Sequence, residues 1–373
     1  MVRLRDGSFR GTRRTNRPRC CPEAHEAFWH VVALVSCRDV FRDVGGYVSG
    51  SCTTRVWRKG VLDGENFPLA DVSDFLGEPD TVVWVDFCDP SKELLDELAD
   101  ELGLHELAVE DALGPHQRPK LDKYESHSFL SCHAVRVDRD TASLVETEID
   151  AFINSRYLIT VRKDEGFSMA PVLQRWDRSP DLLGHGVSFL LYGLLDVVID
   201  GYFETVEGFD EYYDEVSEGL FADKPLSPDE QRNWFQMRRA LVRFHRLVVP
   251  MREAISGLMR REHSTLSEAL YPYYQDVYDH VLRVSESTDS LRDLVSTIVE
   301  TNISLRDYRQ NQVMKQVTSW AAIIAVPTLI TGWYGQNVPY PGSGEAWGVW
   351  ASAALVFGIS GGLFVIFRRR GWL

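Results

Sequence analysis

The segment NQVMKQVTSWAAIIAVPTLITGWYGQN, residues 311–337, decides the architecture of this chain. After Lys315 no charged residue appears until Glu345. A helix crosses a bilayer core of ~30 Å with about 20 predominantly apolar residues, which predicts a first membrane span over residues 317–334. Beyond Glu345 the chain is again free of charge to Phe367, which predicts a second span over 347–367. Between them, GQNVPYPGSG (335–344) is full of helix breakers and reads as a short turn, within a loop spanning 335–346. Lys315 precedes the first span and Arg368, Arg369 and Arg370 follow the second, in a basic tail over 368–373. The turn carries only Glu345, so the positive-inside rule predicts both termini in the cytoplasm and the turn outside. Trp320, Trp333, Tyr334, Tyr340, Trp347 and Trp350 fall where interfacial aromatic anchors are expected. Gly358 and Gly362 have the G-x-x-x-G spacing that permits close helix packing.

Upstream, Pro272 suits a helix start, and no glycine or proline follows until Pro327. At 1.5 Å per residue, 272–333 would span roughly 90 Å. One helix is therefore expected to serve as a stalk over 271–316 and to continue as the first span. A helix this long needs partners along its length. Asn311, Met314, Thr318, Ala321, Ala325, Thr328 and Gly332 recur at steps of three and four and share one face, which is small or polar. Two readings fit that face. Small residues suit helix-helix contact, and a polar stripe suits a water-filled path enclosed by symmetry-related copies. Pro327 lacks an N–H and frees the carbonyl of Ile323, a break tolerated beside a cavity or neighbouring helix. Gly335 lets the chain leave the helix, and Asn337 would set a neutral amide oxygen at the outer end. Such oxygens suit the water shell of Mg²⁺, which dehydrates reluctantly.

The 373 residues carry 40 Lys+Arg against 55 Asp+Glu, a net charge of −15, and are 44% hydrophobic. That excludes a disordered chain and argues against nucleic acid as a partner. Residues 1–50 are Arg-rich and net +4, and are expected to form a poorly structured basic tail. Residues 315–373 are net +3, leaving −22 on residues 51–314. An acidic cytoplasmic part tethered to two spans concentrates cations. Six scattered Cys without a C-x-x-C pair fit a reducing compartment. No phosphate-binding G-x-x-x-x-G-K-[ST] loop appears, and the chain is not expected to be an enzyme.

Residues 51–186 predict an α/β domain. Strands are expected at 81–87, 128–137, 148–153 and 156–162, with a helix over 91–113 and a hairpin turn at Asn154-Ser155. Residues 187–270 predict an acidic helical region. Asp196, Asp200, Glu204, Glu207, Glu211, Asp214 and Glu218 form a stripe over 187–219, either a solvated face or a cation-collecting one. Ser227-Pro228-Asp229-Glu230 predicts an N-cap with a capping box, opening a helix to about Arg261. His25, His30, His116 and His280 have no metal-ligand arrangement in sequence and are assigned no chemistry.

Segment 311–337, the short loop, the second span and the RRRGWL end together resemble the CorA magnesium transporters. The similarity continues in YPYYQDVYDH (271–280) and AVEDALGPHQRPKLD (108–122), and covers residues 55–373. The resemblance implies a funnel-shaped homopentamer with an α/β cytoplasmic domain, a pore-lining stalk helix and an outer second span, resident in the inner cell membrane. It implies an ion ring at Asn337, in a motif whose ends are Gly335 and Asn337 and whose middle Met is here Gln336. ZntB-type zinc transporters also vary that position. By the same resemblance, Asn311 forms an inner polar ring, and Met314 and Val317 narrow the pore and gate it by dewetting. Ala325 stands where a larger Met is often seen. Asp276 matches a regulatory cytoplasmic Mg²⁺ ligand, Asp111 its partner from the adjacent subunit, and Arg368 to Arg370 a basic ring at the inner mouth. The implied function is channel-like Mg²⁺ uptake, with Co²⁺ and Ni²⁺ as surrogates, driven by membrane potential and gated by cytoplasmic Mg²⁺. The alternatives are a zinc transporter of the same architecture and a non-conducting cation sensor.

Overall fold

The computed structural model describes residues 51–114, 117–220, 227–260, 266–336 and 338–373. The basic tail of residues 1–50, with His25 and His30, lies outside the described residues, as do His116 and Asn337.

In chain order the elements are β1 (Ser51–Arg58), β2 (Val61–Glu65), α1 (Val72–Gly77), β3 (Thr81–Cys88), α2 (Lys92–Leu102), α3 (Glu106–Leu113) and β4 (Lys120–Lys123). Then follow β5 (Ser128–Asp138), β6 (Ser143–Ile153), β7 (Tyr157–Arg162), α4 (Ala170–Arg178), α5 (Pro180–Leu183), α6 (Val187–Leu220), α7 (Pro228–Leu258), α8 (Tyr271–Tyr334) and α9 (Ala346–Arg369). They divide into two compact units. The described residues up to Gly208 join those of Arg239–Thr288 in the first, and those of Phe209–Arg238 join those of Asp289–Leu373 in the second.

The first unit is built on a seven-stranded sheet of order β2-β1-β3-β7-β6-β5-β4. Its central pair, β3 and β7, is parallel and the other pairings are antiparallel. Alternation along β3 sorts the two faces. Val83, Val85 and Phe87 turn to a core shared with Leu95 and Leu98 of α2 and Ala108, Val109 and Ala112 of α3. Trp84 turns to the opposite face, where Trp176 of α4 meets it edge-on with ring centroids 5.0 Å apart. On that same face α6 is tied to β5: Tyr202 donates to the His133 carbonyl at 2.9 Å and Thr205 to the Val135 carbonyl at 3.1 Å.

The helix expected over 91–113 is two helices. Ser91 caps α2 by accepting from the Leu94 N–H at 3.3 Å, and α2 stops at Gly103, whose φ of 66° is left-handed. That glycine ends the helix as a residue with a Cβ does not. The hairpin at Asn154-Ser155 forms, closed by the Asn154 N–H on the Tyr157 carbonyl at 3.0 Å. The capping box at Ser227 also forms: Glu230 accepts the Ser227 N–H at 2.6 Å and the Ser227 hydroxyl accepts the Glu230 N–H at 3.2 Å. Hydrogen bonding to Ser227 holds the exposed Glu230 carboxyl below its usual range. Strands β1, β2 and β4 were not signalled by the sequence pattern.

Of the acidic stripe on α6, Asp196 is buried and paired with Arg175, whereas Asp200, Glu204, Glu207, Glu211, Asp214 and Glu218 are exposed. Burial raises the Asp196 carboxyl above its ordinary value, against the pull of Arg175.

Candidate functional site

Helix α8 is continuous over 64 residues, about 96 Å at 1.5 Å per residue, with Pro327 inside it. Its C-terminal part and α9 are the two described helices long and apolar enough to cross a membrane.

Asn311, Met314, Thr318, Ala321, Ala325, Thr328 and Gly332 are all exposed in the single chain, as is Val317. Lys315, Ser319, Ala322, Val326 and Ile330 are buried or half-buried. At about 100° per residue the two rows are centred about 120° apart around the helix. Half-burial also recurs along α9 at Ser352, Val356, Ser360, Leu363 and Phe367, and the rings of Trp320 and Phe364 approach to 6.4 Å. The small and polar stripe therefore lies to one side of the half-buried row and is exposed in the single chain. Gly358 and Gly362 are exposed, and their spacing serves no contact among the described residues.

Within the stripe, the Thr318 hydroxyl donates to the Met314 carbonyl at 2.8 Å and Thr328 to the Ile324 carbonyl at 3.1 Å. With its hydrogen spent on the helix backbone, each hydroxyl turns out only lone pairs, which accept from water or approach a cation. At the helix end the Gly335 N–H reaches the Thr331 carbonyl at 2.8 Å, and a Cβ on Gly335 would stand 3.1 Å from that same oxygen. Gln336 follows, exposed.

Arg368 and Arg369 form the last turn of α9 and Arg370 its cap, all exposed. The Trp372 N–H bonds the Phe367 carbonyl at 2.9 Å and the Gly371 N–H the Arg368 carbonyl at 3.2 Å, with Gly371 at φ 68°. This is a Schellman closure, and its usual apolar contact is made by Phe367 and Trp372, stacked at 5.5 Å. The basic cluster is thus fixed by a folded cap, at the helix end where positive charge complements the dipole.

In the first unit, Asp276 stands on an exposed face of α8, one turn from His280, whose Nε2 lies 3.7 Å from its carboxylate. Asp111, on α3, lines a hollow of about 420 Å³ together with Leu107, Glu110, Lys120, Asp122 and Tyr124. Lys120 bridges two carboxylates there, 2.6 Å from Asp111 and 2.7 Å from Asp122. Partial burial works against the Lys120 charge, but hydrogen bonds to Asp111 and Asp122 outweigh it and raise the ammonium above its ordinary value. The carboxylates of Asp111 and Asp276 are hard oxygen donors of the kind Mg²⁺ takes. Among the described residues, no group of three or more His, Cys, Asp or Glu side chains within the single chain could hold a metal ion.

A buried network that sequence reasoning missed supports Asp111. Lys163, just beyond β7, donates to the carbonyls of Ala112 and Gly114, the latter at 2.8 Å, and so closes the C-terminal end of α3. Asp150 lies 3.3 Å from the Lys163 ammonium, and Glu148 accepts the Gln117 N–H at 3.1 Å. Burial pushes the Asp150 carboxyl up to about 6, against the pull of Lys163. The sequence signal was weak. Glu148 and Asp150 point inward from a strand whose other residues read as ordinary alternation.

The sequence profile described as CorA-like Mg²⁺ transporter protein matches residues 79–369. The putative metal ion transporter YfjQ of Bacillus subtilis is 29% identical over 83% of this chain and 94% of its own length. The cobalt/magnesium transport protein CorA of Thermotoga maritima is 28% identical over 85% of this chain and 92% of its own. Among solved structures, the complete CorA magnesium transporter of Methanocaldococcus jannaschii superposes with a TM-score of 0.70 at 21% identity, covering 86% of this chain and 98% of that one. The full-length CmaX protein superposes at 0.61 and 22% identity, covering 87% and 99%. These likenesses give the fold: an α/β domain, a long helix and two apolar C-terminal helices. With the profile matched over most of its length, the chain is a membrane protein that belongs to the family of CorA-like Mg²⁺ transporter proteins.

Proposed function

We propose that this protein conducts divalent cations, Mg²⁺ foremost, across the inner cell membrane through a pore at the axis of a homopentamer, with both termini in the cytoplasm. The observation that carries this reading is the stripe from Asn311 to Gly332, exposed along its length and about 120° around α8 from the half-buried row. A face that is small or polar and exposed in the single chain suits a wet axis shared among copies. Thr318 and Thr328, with their hydrogens committed to the backbone, offer oxygens to water or ions along it. Met314 and Val317 supply the apolar constriction. Asn337, beyond Gln336, supplies the outer amide ring. The basic cluster Arg368, Arg369 and Arg370 rings the inner mouth. A membrane potential contributes roughly 4.6 kcal/mol per 100 mV to the entry of a divalent ion, so no nucleotide is required.

Gating rests on Asp276 and Asp111 of adjacent copies holding a regulatory Mg²⁺ between them. Occupied, the pair is drawn together; empty, two facing carboxylates repel and the copies part. The test is metal-specific flux into proteoliposomes, for the native chain, Asn337→Ala and Gln336→Met. Mg²⁺ flux lost in Asn337→Ala supports the pore. Zn²⁺ flux exceeding Mg²⁺ flux, and reversed by Gln336→Met, favours the zinc reading. No flux of any divalent ion leaves a sensor.

A further inference from the structure

Asp111 is held on two sides. Behind it, Lys163 closes the carbonyl end of α3, so the segment carrying Asp111 is fixed to the sheet. In front, the Lys120 ammonium sits 2.6 Å from one Asp111 oxygen and 2.7 Å from Asp122, inside an open hollow that also exposes Glu110. Lys120 thus fills the position a cation would take among these carboxylates. Pro119, buried immediately before it, and the pairing of Lys120 with Ser131 across the sheet fix where its side chain starts. The closed end of α3 fixes the backbone beside Asp111, and the Lys120 ammonium occupies the carboxylate where it faces the hollow. An arriving ion must therefore displace the ammonium.

We propose that Lys120 is a tethered internal counterion that competes with divalent cations for Asp111, and thereby sets how much cytoplasmic Mg²⁺ the protein needs for its regulatory transition. The inference rests on the assignment of Asp111 as a regulatory ligand. It adds a residue of opposite sign that weakens the affinity of that site. An aspartate already neutralised in the empty state also removes much of the repulsion that would otherwise hold neighbouring copies apart. Lys120 therefore makes the response less steep as well as shifting it to higher concentration.

The experiment is a MgCl₂ titration of the purified full-length protein in detergent, reading the half-maximal concentration for protection from limited proteolysis. Lys120→Met is expected to lower that midpoint about fivefold, the change expected when one partly exposed ion pair no longer has to be broken. Lys120→Arg, which keeps the charge, is expected to stay near the native midpoint. Asp111→Asn is expected to raise the midpoint, and adding Lys120→Met to it to bring no further change. The direction separates competition from damage, because a loosened fold weakens binding while a lost competitor tightens it. Should Lys120→Met fail to fold, Lys120→Gln removes the same charge and carries the same expectation. A midpoint that is unchanged or raised in the charge-removing variant, while Asp111→Asn does raise it, overturns the role of Lys120. A native midpoint in Asp111→Asn instead removes the assignment of Asp111, and with it the inference.

Discussion

The Lys163 ammonium lies 3.3 Å from the buried carboxylate of Asp150 and, on its other side, 2.8 Å from the Gly114 carbonyl beyond α3. One lysine therefore joins a charge inside the sheet to the helix end that carries Asp111. Burial pushes the Asp150 carboxyl from 3.8 up to about 6, so the folded chain keeps a proton there that the unfolded chain releases. The sign follows: the stability this group contributes is full below about pH 4 and is lost as pH rises through 6. By pH 7.5 the loss amounts to ~3 kcal/mol. Thermal melts of the native chain and Asp150→Asn at pH 5 and pH 7.5 check it. The native advantage is expected to shrink, or reverse, at the higher pH, and a constant gap would refute the account.

Arg162 and Asp86 form a second buried pair, on neighbouring parallel strands, at 2.7 Å. Burial raises the Asp86 carboxyl, against the hydrogen bond and charge of Arg162. Replacing Arg162 by Met strands a buried carboxylate and is expected to cost about 3–5 kcal/mol. The double variant Arg162→Met with Asp86→Leu is expected to recover much of that loss, because the penalty lies in the unpaired charge. Denaturant midpoints of the single and double variants decide it.

The C-terminal helices of this chain were legible because their signals are one-dimensional. A charge-free run, a proline-free run and a three-four stripe each depend on near neighbours in sequence. The capping box at Ser227 and the turn at Asn154 were legible for the same reason. Strands β1 and β2 were missed because the register Arg55↔Glu65 joins polar residues with little alternation. The split between α2 and α3 turned on one glycine that a tolerant periodicity search passes over. Least legible was the surround of Asp111. Lys120 is nine residues away and Lys163 fifty-two, and only the sheet brings them to one place. The stripe on α6 showed the converse limit, because spacing alone could not tell the buried Asp196 from the exposed acids that follow it.

Gly193 on α6 faces the indole of Trp176. A Cβ there would stand 2.5 Å from Nε1, the atom that donates to the Leu190 carbonyl at 3.0 Å. Helix propensity favours Ala over Gly by up to about 1 kcal/mol. Overpacking against a buried ring costs about 1–3 kcal/mol. Trp176 is wedged between Trp57 and Trp84 and has little room to give. Gly193→Ala is therefore expected to lower the melting temperature, with a change in near-ultraviolet dichroism from the tryptophan cluster. A rise in melting temperature would show that the ring yields.

Asp276 offers a sharper separation of regulation from stability. Its side chain is 59% exposed, and its carboxylate lies 3.7 Å from His280 Nε2. Substitution at such a position is expected to change stability by less than about 0.5 kcal/mol. In the proposed pentamer, Asp276→Lys nevertheless reverses the charge offered to the proposed regulatory Mg²⁺ in every copy. Inhibition of flux by Mg²⁺ on the cytoplasmic side of proteoliposomes is therefore expected to weaken at least tenfold, while the melting temperature without Mg²⁺ stays close to native. Asp276→Asn, which keeps the oxygen but loses the charge, is expected to fall between the two. Inhibition at the native concentration in Asp276→Lys would place the regulatory site elsewhere. A large fall in melting temperature would instead mark Asp276 as a structural residue.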